Sequence, residues 1–185
     1  MIIGICGKSC SGKSTLSDYL IQVYKDRAAY LEIDKIGHKA LEIEEVQCEL
    51  VNCFGDSVLD GGVVNRKRLG DIVFSSRHEM DKLTAITWGY MQGMIDAFIN
   101  ENKDKLIILD WILLPQTKYA GMCDLKVLFD IPYEVRLKRA IARDGISEED
   151  FLLRESASID YDATDFDIVL KDNEMETIKG VIRKL

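Results

Sequence analysis

Apolar positions along the chain fall into two kinds of run. Short, mostly apolar runs at residues 1–6, 28–33, 105–110, 125–130 and 166–170 read as buried strands, because hydrophobic residues dominate each run. Between them the spacing becomes helical. Leu16, Tyr19, Leu20, Val23 and Tyr24 form one stripe, and Leu41, Ile43, Val46, Leu50, Val51 and Phe54 predict a helix over 36–54 that stops at Gly55. Asp60-Gly61-Gly62 reads as a turn, after which Asn65 can cap a short helix opened by Arg66 and carrying Leu69, Ile72 and Val73. Residues 80–100 have helical periodicity through Leu83, Ile86, Met91, Ile95 and Phe98, interrupted by Gly89 and Gly93, which permit bending or close approach. Residues 174–185 close the chain with an amphipathic helix. Strands separated throughout by helices predict an α/β fold, with a five-stranded parallel sheet covered by helices on both faces.

The first strand runs directly into Gly7-Lys8-Ser9-Cys10-Ser11-Gly12-Lys13-Ser14, followed by Thr15 at the start of the first helix. Two glycines four residues apart, then Lys and a hydroxyl, are what a phosphate-binding loop requires. The glycines let several N–H groups converge on one phosphate, Lys13 brings a mobile charge to the β and γ oxygens, and Ser14 offers a ligand to Mg²⁺. The helix that starts there adds its dipole to the anion site.

Composition narrows the class. The 185 residues suit one domain, and a net charge of −8 argues against a nucleic-acid surface. Five cysteines without a Cys-x-x-Cys pair suggest neither a disulfide framework nor a zinc site. The first strand is not preceded by a signal-like segment, and no apolar stretch approaches membrane-spanning length, so a soluble, cytoplasmic protein is expected.

Other candidate residues end the strands or line one helix. Asp34 follows the second strand, where α/β sheets bind ligands, although an Asp there also suits the N-cap of a helix starting at Lys35. His38 lies one turn further on, facing the same cleft or simply half-exposed. Asp110 ends the third strand, either as an indirect magnesium ligand or as an ordinary turn residue. Arg136, Arg139 and Arg143 share one face of a helix beginning near Tyr133. Asp144-Gly145 and a second helix, with Ser147 and Asp150 placed for a capping box, complete the layout of a kinase lid. Surface pairing of these arginines with Glu148, Glu149 and Glu155 is the plainer alternative.

Taken together, the phosphate loop, Asp34-Lys35-Ile36-Gly37-His38, Asn65-Arg66-Lys67-Arg68-Leu69-Gly70, Leu109-Asp110, Arg139, Arg143-Asp144-Gly145 and Asp167-Ile168-Val169 before Asn173 resemble the dephospho-coenzyme A kinases. The resemblance implies one P-loop kinase domain over residues 1–185, with a helical acceptor-binding insertion at about 35–100 and a lid at about 136–158. It implies ATP and Mg²⁺ as cofactors and dephospho-CoA as acceptor. Lys13, Asp34 and Arg143 become the catalytic residues, and Asp34 the carboxylate near the acceptor hydroxyl. Gly7 to Thr15, Arg139 and Asn173 hold ATP, with Asn173 beside the adenine. His38, Arg66, Leu69 and Asp110 serve the acceptor, and Ser14 and Asp110 the metal. The pattern departs from the family at Glu32, at Trp88-Gly89 and at residues 112–116, and a nucleoside or nucleotide kinase of the same fold, or a non-catalytic nucleotide-binding relative, is the alternative.

Overall fold

A computed structural model describes residues 1–156, 158–172 and 174–182. The chain forms two compact units, Ile33–Glu101 and the remainder, made of Met1–Glu32 with the chain from Asn102 onward.

The larger unit is built on a parallel sheet of strands β1 (Ile2–Gly7), β2 (Ala28–Glu32), β5 (Leu106–Asp110), β6 (Leu125–Phe129) and β7 (Ile168–Leu170), in the order β2-β5-β1-β6-β7. The N-terminal strand is therefore central, with Ile5 opposite Asp110 on one side and Gly7 opposite Phe129 on the other. Ile3 and Ile5 are fully buried in a cluster with Leu16 and Leu20 of α1 (Lys13–Tyr24) and Ile178 and Val181 of α8 (Met175–Ile182). Burial on this scale is what holds the sheet to its helices. Gly4 presents the opposite face, where a Cβ would lie 2.6 Å from Leu114 Cδ2 and 2.9 Å from Cys123 Sγ.

That close layer corrects one sequence expectation. The link between β5 and β6 contains no α-helix, only two 3-10 segments at Leu114–Gln116 and Lys118–Met122, the first with Pro115 near its start. The packed Leu114 and Tyr119 give this short connection its own anchors in the core. The last two helices of this unit before α8 are α6 (Tyr133–Asp144), ended by Gly145, and α7 (Glu148–Ser156), whose start is capped by Ser147 Oγ accepting from Asp150 N–H at 3.0 Å.

The smaller unit contains α2 (Ile33–Ala40), α3 (Glu44–Phe54), the hairpin strands β3 (Leu59–Asp60) and β4 (Val63–Val64), α4 (Arg66–Val73) and α5 (Arg77–Glu101). Val46, Leu50, Val58, Val64, Leu69 and Val73 form its core. The single helix expected over 36–54 is two helices. Leu41, Glu42 and Ile43 N–H groups bond back three residues, and Ile43 is extended at ψ 129°, so the chain turns before α3 begins. Gln47 Nε2 donates to the Leu41 carbonyl at 3.1 Å and satisfies part of the break. The apolar spacing survives because a three-residue turn restores the helical phase. Asn65 caps α4 as expected, accepting from Arg68 N–H at 3.1 Å. Helix α5 runs unbroken past Gly89 and Gly93, and a Cβ at either position would meet no atom within 4 Å, so neither glycine serves a close approach.

Candidate phosphate-binding site

The larger unit gathers most of the candidate residues at the carboxyl end of β1. Gly7 has φ +147°, and a Cβ there would sit 2.6 Å from Ser11 Oγ and 2.9 Å from the Phe129 carbonyl, so the turn into the loop admits only glycine. Cys10 takes the left-handed conformation at φ 59°, and Gly12, at φ 97°, precedes the first residue of α1. No side chain caps α1, and its first turn holds no acidic residue, so the positive end of a 12-residue helix is left for an external anion. Ser14 is exposed in that first turn, with Thr15 beside it half-buried. Ser11 Oγ is buried without a hydrogen-bond partner among the described residues, a donor that a ligand oxygen would satisfy.

Lys13 folds back over the loop. Its Nζ donates to the Gly7 carbonyl at 2.9 Å and lies 4.0 Å from Asp110 Oδ1. Asp110, 6% exposed at the end of β5, accepts from the Tyr30 hydroxyl at 3.2 Å through Oδ2. Burial first, and then the Asp110 charge, push the Tyr30 phenol well above its usual range, so Tyr30 stays a donor. Sequence reasoning missed Tyr30, since an aromatic residue inside a strand gives only a core signal.

The arginines of α6 divide in their work. Arg139 Nη1 donates to the Cys10 and Ser11 carbonyls at 3.4 and 3.2 Å, the loop's own backbone. Arg143, exposed, holds the adjacent Asp144 carboxylate through two bonds of 2.7 and 3.0 Å, a pairing of the surface kind. Arg136 is not on the surface stripe that the spacing suggested. It is 4% exposed and pairs with Glu155. Lys8, inside the loop, reaches Glu155 and Asp160 at 3.0 Å each. A cavity of about 300 Å³ opens beside it, lined by Phe129, Tyr133, Arg136, Asp160 and Tyr161. Asn173 lies outside the described residues.

Among the described residues no cluster of three metal-ligating side chains occurs. The hard oxygens of Ser14 and Asp110 fit a small cation that takes most of its shell from phosphate and water, as Mg²⁺ does.

In the smaller unit Asp34 and His38 are both exposed, one turn apart on α2. The helix begins at Ile33, so Asp34 occupies its first turn and is not the N-cap of a helix starting at Lys35. Arg66 is exposed at the first position of α4. Leu69, by contrast, is 2% exposed and belongs to the core of its unit, where it has no surface to offer a substrate.

Comparison with known proteins gives a consistent result. A family model described as dephospho-CoA kinase matches residues 1–176. The dephospho-CoA kinase of Fusobacterium nucleatum is 34% identical over 176 residues, covering 94% of this chain and 90% of the relative. That of Aquifex aeolicus is 37% identical over 153 residues, covering 80% and 76%. Among solved structures, a Thermus thermophilus protein aligns with a TM-score of 0.83 at 27% identity over 100% of this chain and 97% of its own. Dephospho-CoA kinase from Campylobacter jejuni shares the fold, with a TM-score of 0.68 at 22% identity, covering 99% and 96%.

Proposed function

The chain belongs to the dephospho-CoA kinase family, and from that premise we propose that it transfers the γ-phosphoryl group of ATP to the ribose 3′-hydroxyl of dephospho-CoA, the last step of coenzyme A synthesis. Membership makes it an ATP-dependent kinase acting on small molecules. The observation that carries the reading is the uncapped N-terminus of α1 beneath a glycine loop, with the Lys13 ammonium held between the Gly7 carbonyl and Asp110.

Phosphoryl transfer asks a protein for positioning and charge neutralisation more than for covalent chemistry. The loop amides and Lys13 hold the β and γ phosphates, and Arg143, exposed and paired with Asp144 at the surface, turns to the transferring group. Arg139 supports ATP through the loop whose carbonyls it binds. Mg²⁺, with Ser14 as ligand and Asp110 behind it, would neutralise the phosphate oxygens. Asp34 orients the acceptor hydroxyl and receives its proton, supported by its exposure in the first turn of α2, while His38 and Arg66 contact the acceptor. No helix among the described residues is long and apolar enough to cross a membrane. We assign the enzyme to the cytoplasm, alongside its water-soluble substrates.

ADP release measured over a panel of acceptors tests the assignment. Dephospho-CoA should support turnover and gain one phosphate at the 3′ position, whereas faster turnover with a nucleoside or nucleoside monophosphate would overturn the acceptor. Lys13→Ala should abolish turnover and leave melting unchanged. Asp34→Asn should lower kcat by about 10²–10⁴-fold with ATP binding nearly intact, as loss of a general base does. Activity kept within a few-fold would remove Asp34 from that role.

A further inference from the structure

Two charged groups near the phosphate loop, Arg136 and Glu155, remain outside the assigned chemistry, and the side chain of the loop residue Lys8 meets them. The Arg136 guanidinium is buried, and both its terminal nitrogens hold the Glu155 carboxylate, at 2.6 and 2.9 Å. Its Nε donates to the Ile131 carbonyl at 2.9 Å, and Nη1 lies 3.5 Å from the Ser9 carbonyl of the loop. Lys8 Nζ donates to Glu155 Oε1 at 3.0 Å. One carboxylate near the end of α7 therefore holds a loop side chain directly and the loop backbone through Arg136. The pairing is a built feature and not a surface accident: the Arg136 and Glu155 side chains are 5% and 18% exposed, and the partners lie 19 and 147 residues away from Glu155 in sequence. Hydrogen bonding to Arg136, ahead of that to Lys8, keeps the Glu155 carboxyl below the usual carboxylate range, so the pair remains charged at working pH.

The backbone consequence follows from peptide geometry. In a trans peptide the carbonyl and the next N–H point in opposite directions, and the described chain contains no cis bond. With the Ser9 carbonyl directed to Arg136 and the Ser11 carbonyl to Arg139, the N–H groups of Cys10 and Gly12 turn the other way. That is the arrangement a phosphate needs.

We propose that Arg136 and Glu155, with Lys8, are positioning residues that preset the phosphate loop for nucleotide. They need not touch the reacting atoms. The inference rests on the reading that this loop holds ATP. A loop that is no longer preset reaches its binding form only part of the time, and if that fraction falls to about a tenth, the apparent dissociation constant for ATP rises about tenfold.

Removing one partner alone strands a buried charge and endangers the fold, whereas replacing a buried pair by apolar residues of similar volume generally keeps it. The test is therefore the double variant Arg136→Met with Glu155→Leu, accompanied by the milder Glu155→Gln, each followed by melting, ATP titration calorimetry and steady-state kinetics. The double variant should melt near the wild type, bind ATP about tenfold more weakly, and keep both the KM for the acceptor and the kcat at saturating ATP within a few-fold. Glu155→Gln should shift the ATP constant in the same direction. An unchanged ATP constant in either folded variant would reduce the pair to a purely structural role and overturn the inference. Failure of the wild type to bind ATP would instead fall on the proposed function.

Discussion

At the scale of single residues, Tyr30 gives the sharpest contrast between chemistry and packing. Its hydroxyl is bonded to Asp110, whose other oxygen faces Lys13, so Tyr30→Phe keeps the ring in the core and removes only the donor. A hydrogen bond to a charged group contributes about 1.5–3 kcal/mol to stability, so Tyr30→Phe should lower the unfolding free energy by about that amount in a denaturant titration. Glu155 adds a pH dependence whose sign is set by its lowered folded-state pKa. The stabilisation is complete above its ordinary value of 4.5 and is lost as pH falls through the lower folded value. Melting followed through acid should therefore show a loss below about pH 4.5 that is smaller in Glu155→Gln. Burial pushes the Cys6 thiol up to about 12 and Cys123 to about 11, while Cys48 and Cys53 are exposed on α3. Alkylation of the native protein near pH 8 should label the exposed pair and spare Cys6 and Cys123, because the thiolate is the nucleophile.

At the scale of elements, the parts that could be read from sequence are those with a local physical signature. The Gly7-to-Ser14 loop is one, because glycines with a Lys and a hydroxyl have few other uses. The five strands are another, since each is a short run dominated by apolar residues. Asn65 belongs here as well: it caps α4 as its residue type suggests, and Asn65→Ala should lower stability by about 1 kcal/mol in a denaturant titration, with Asn65→Asp close to neutral. The break between α2 and α3 was not legible, because a short turn that restores the helical phase leaves the apolar periodicity intact. Nor was the separation of Arg136 from Arg139 and Arg143. Their spacing places all three on one face, but only tertiary contact with Glu155 decides which arginine is buried. Leu69 shows the opposite error, in which a residue next to informative neighbours was credited with their role although its own side chain is core.

At the scale of the whole molecule, the chain leaves the larger unit after β2 and returns before β5, two strands that pair with each other from Ala28 opposite Leu106 to Glu32 opposite Asp110. Contacts between residues so distant in sequence are slow to form, because a long loop must close before they stabilise anything. The central position of β1 extends this to protein synthesis. When β1 leaves the ribosome neither of its sheet neighbours is yet made, since β5 and β6 follow it by about a hundred residues or more, and the arginines that hold the loop's carbonyls come later still. Nascent chains arrested before β6 should therefore be cleaved by protease within β1 and should not retain ATP, and chains extended through α7 should gain both properties together. The phosphate loop is thus written before the elements that assemble it, so a product truncated after the loop carries its residues without the means to bind ATP.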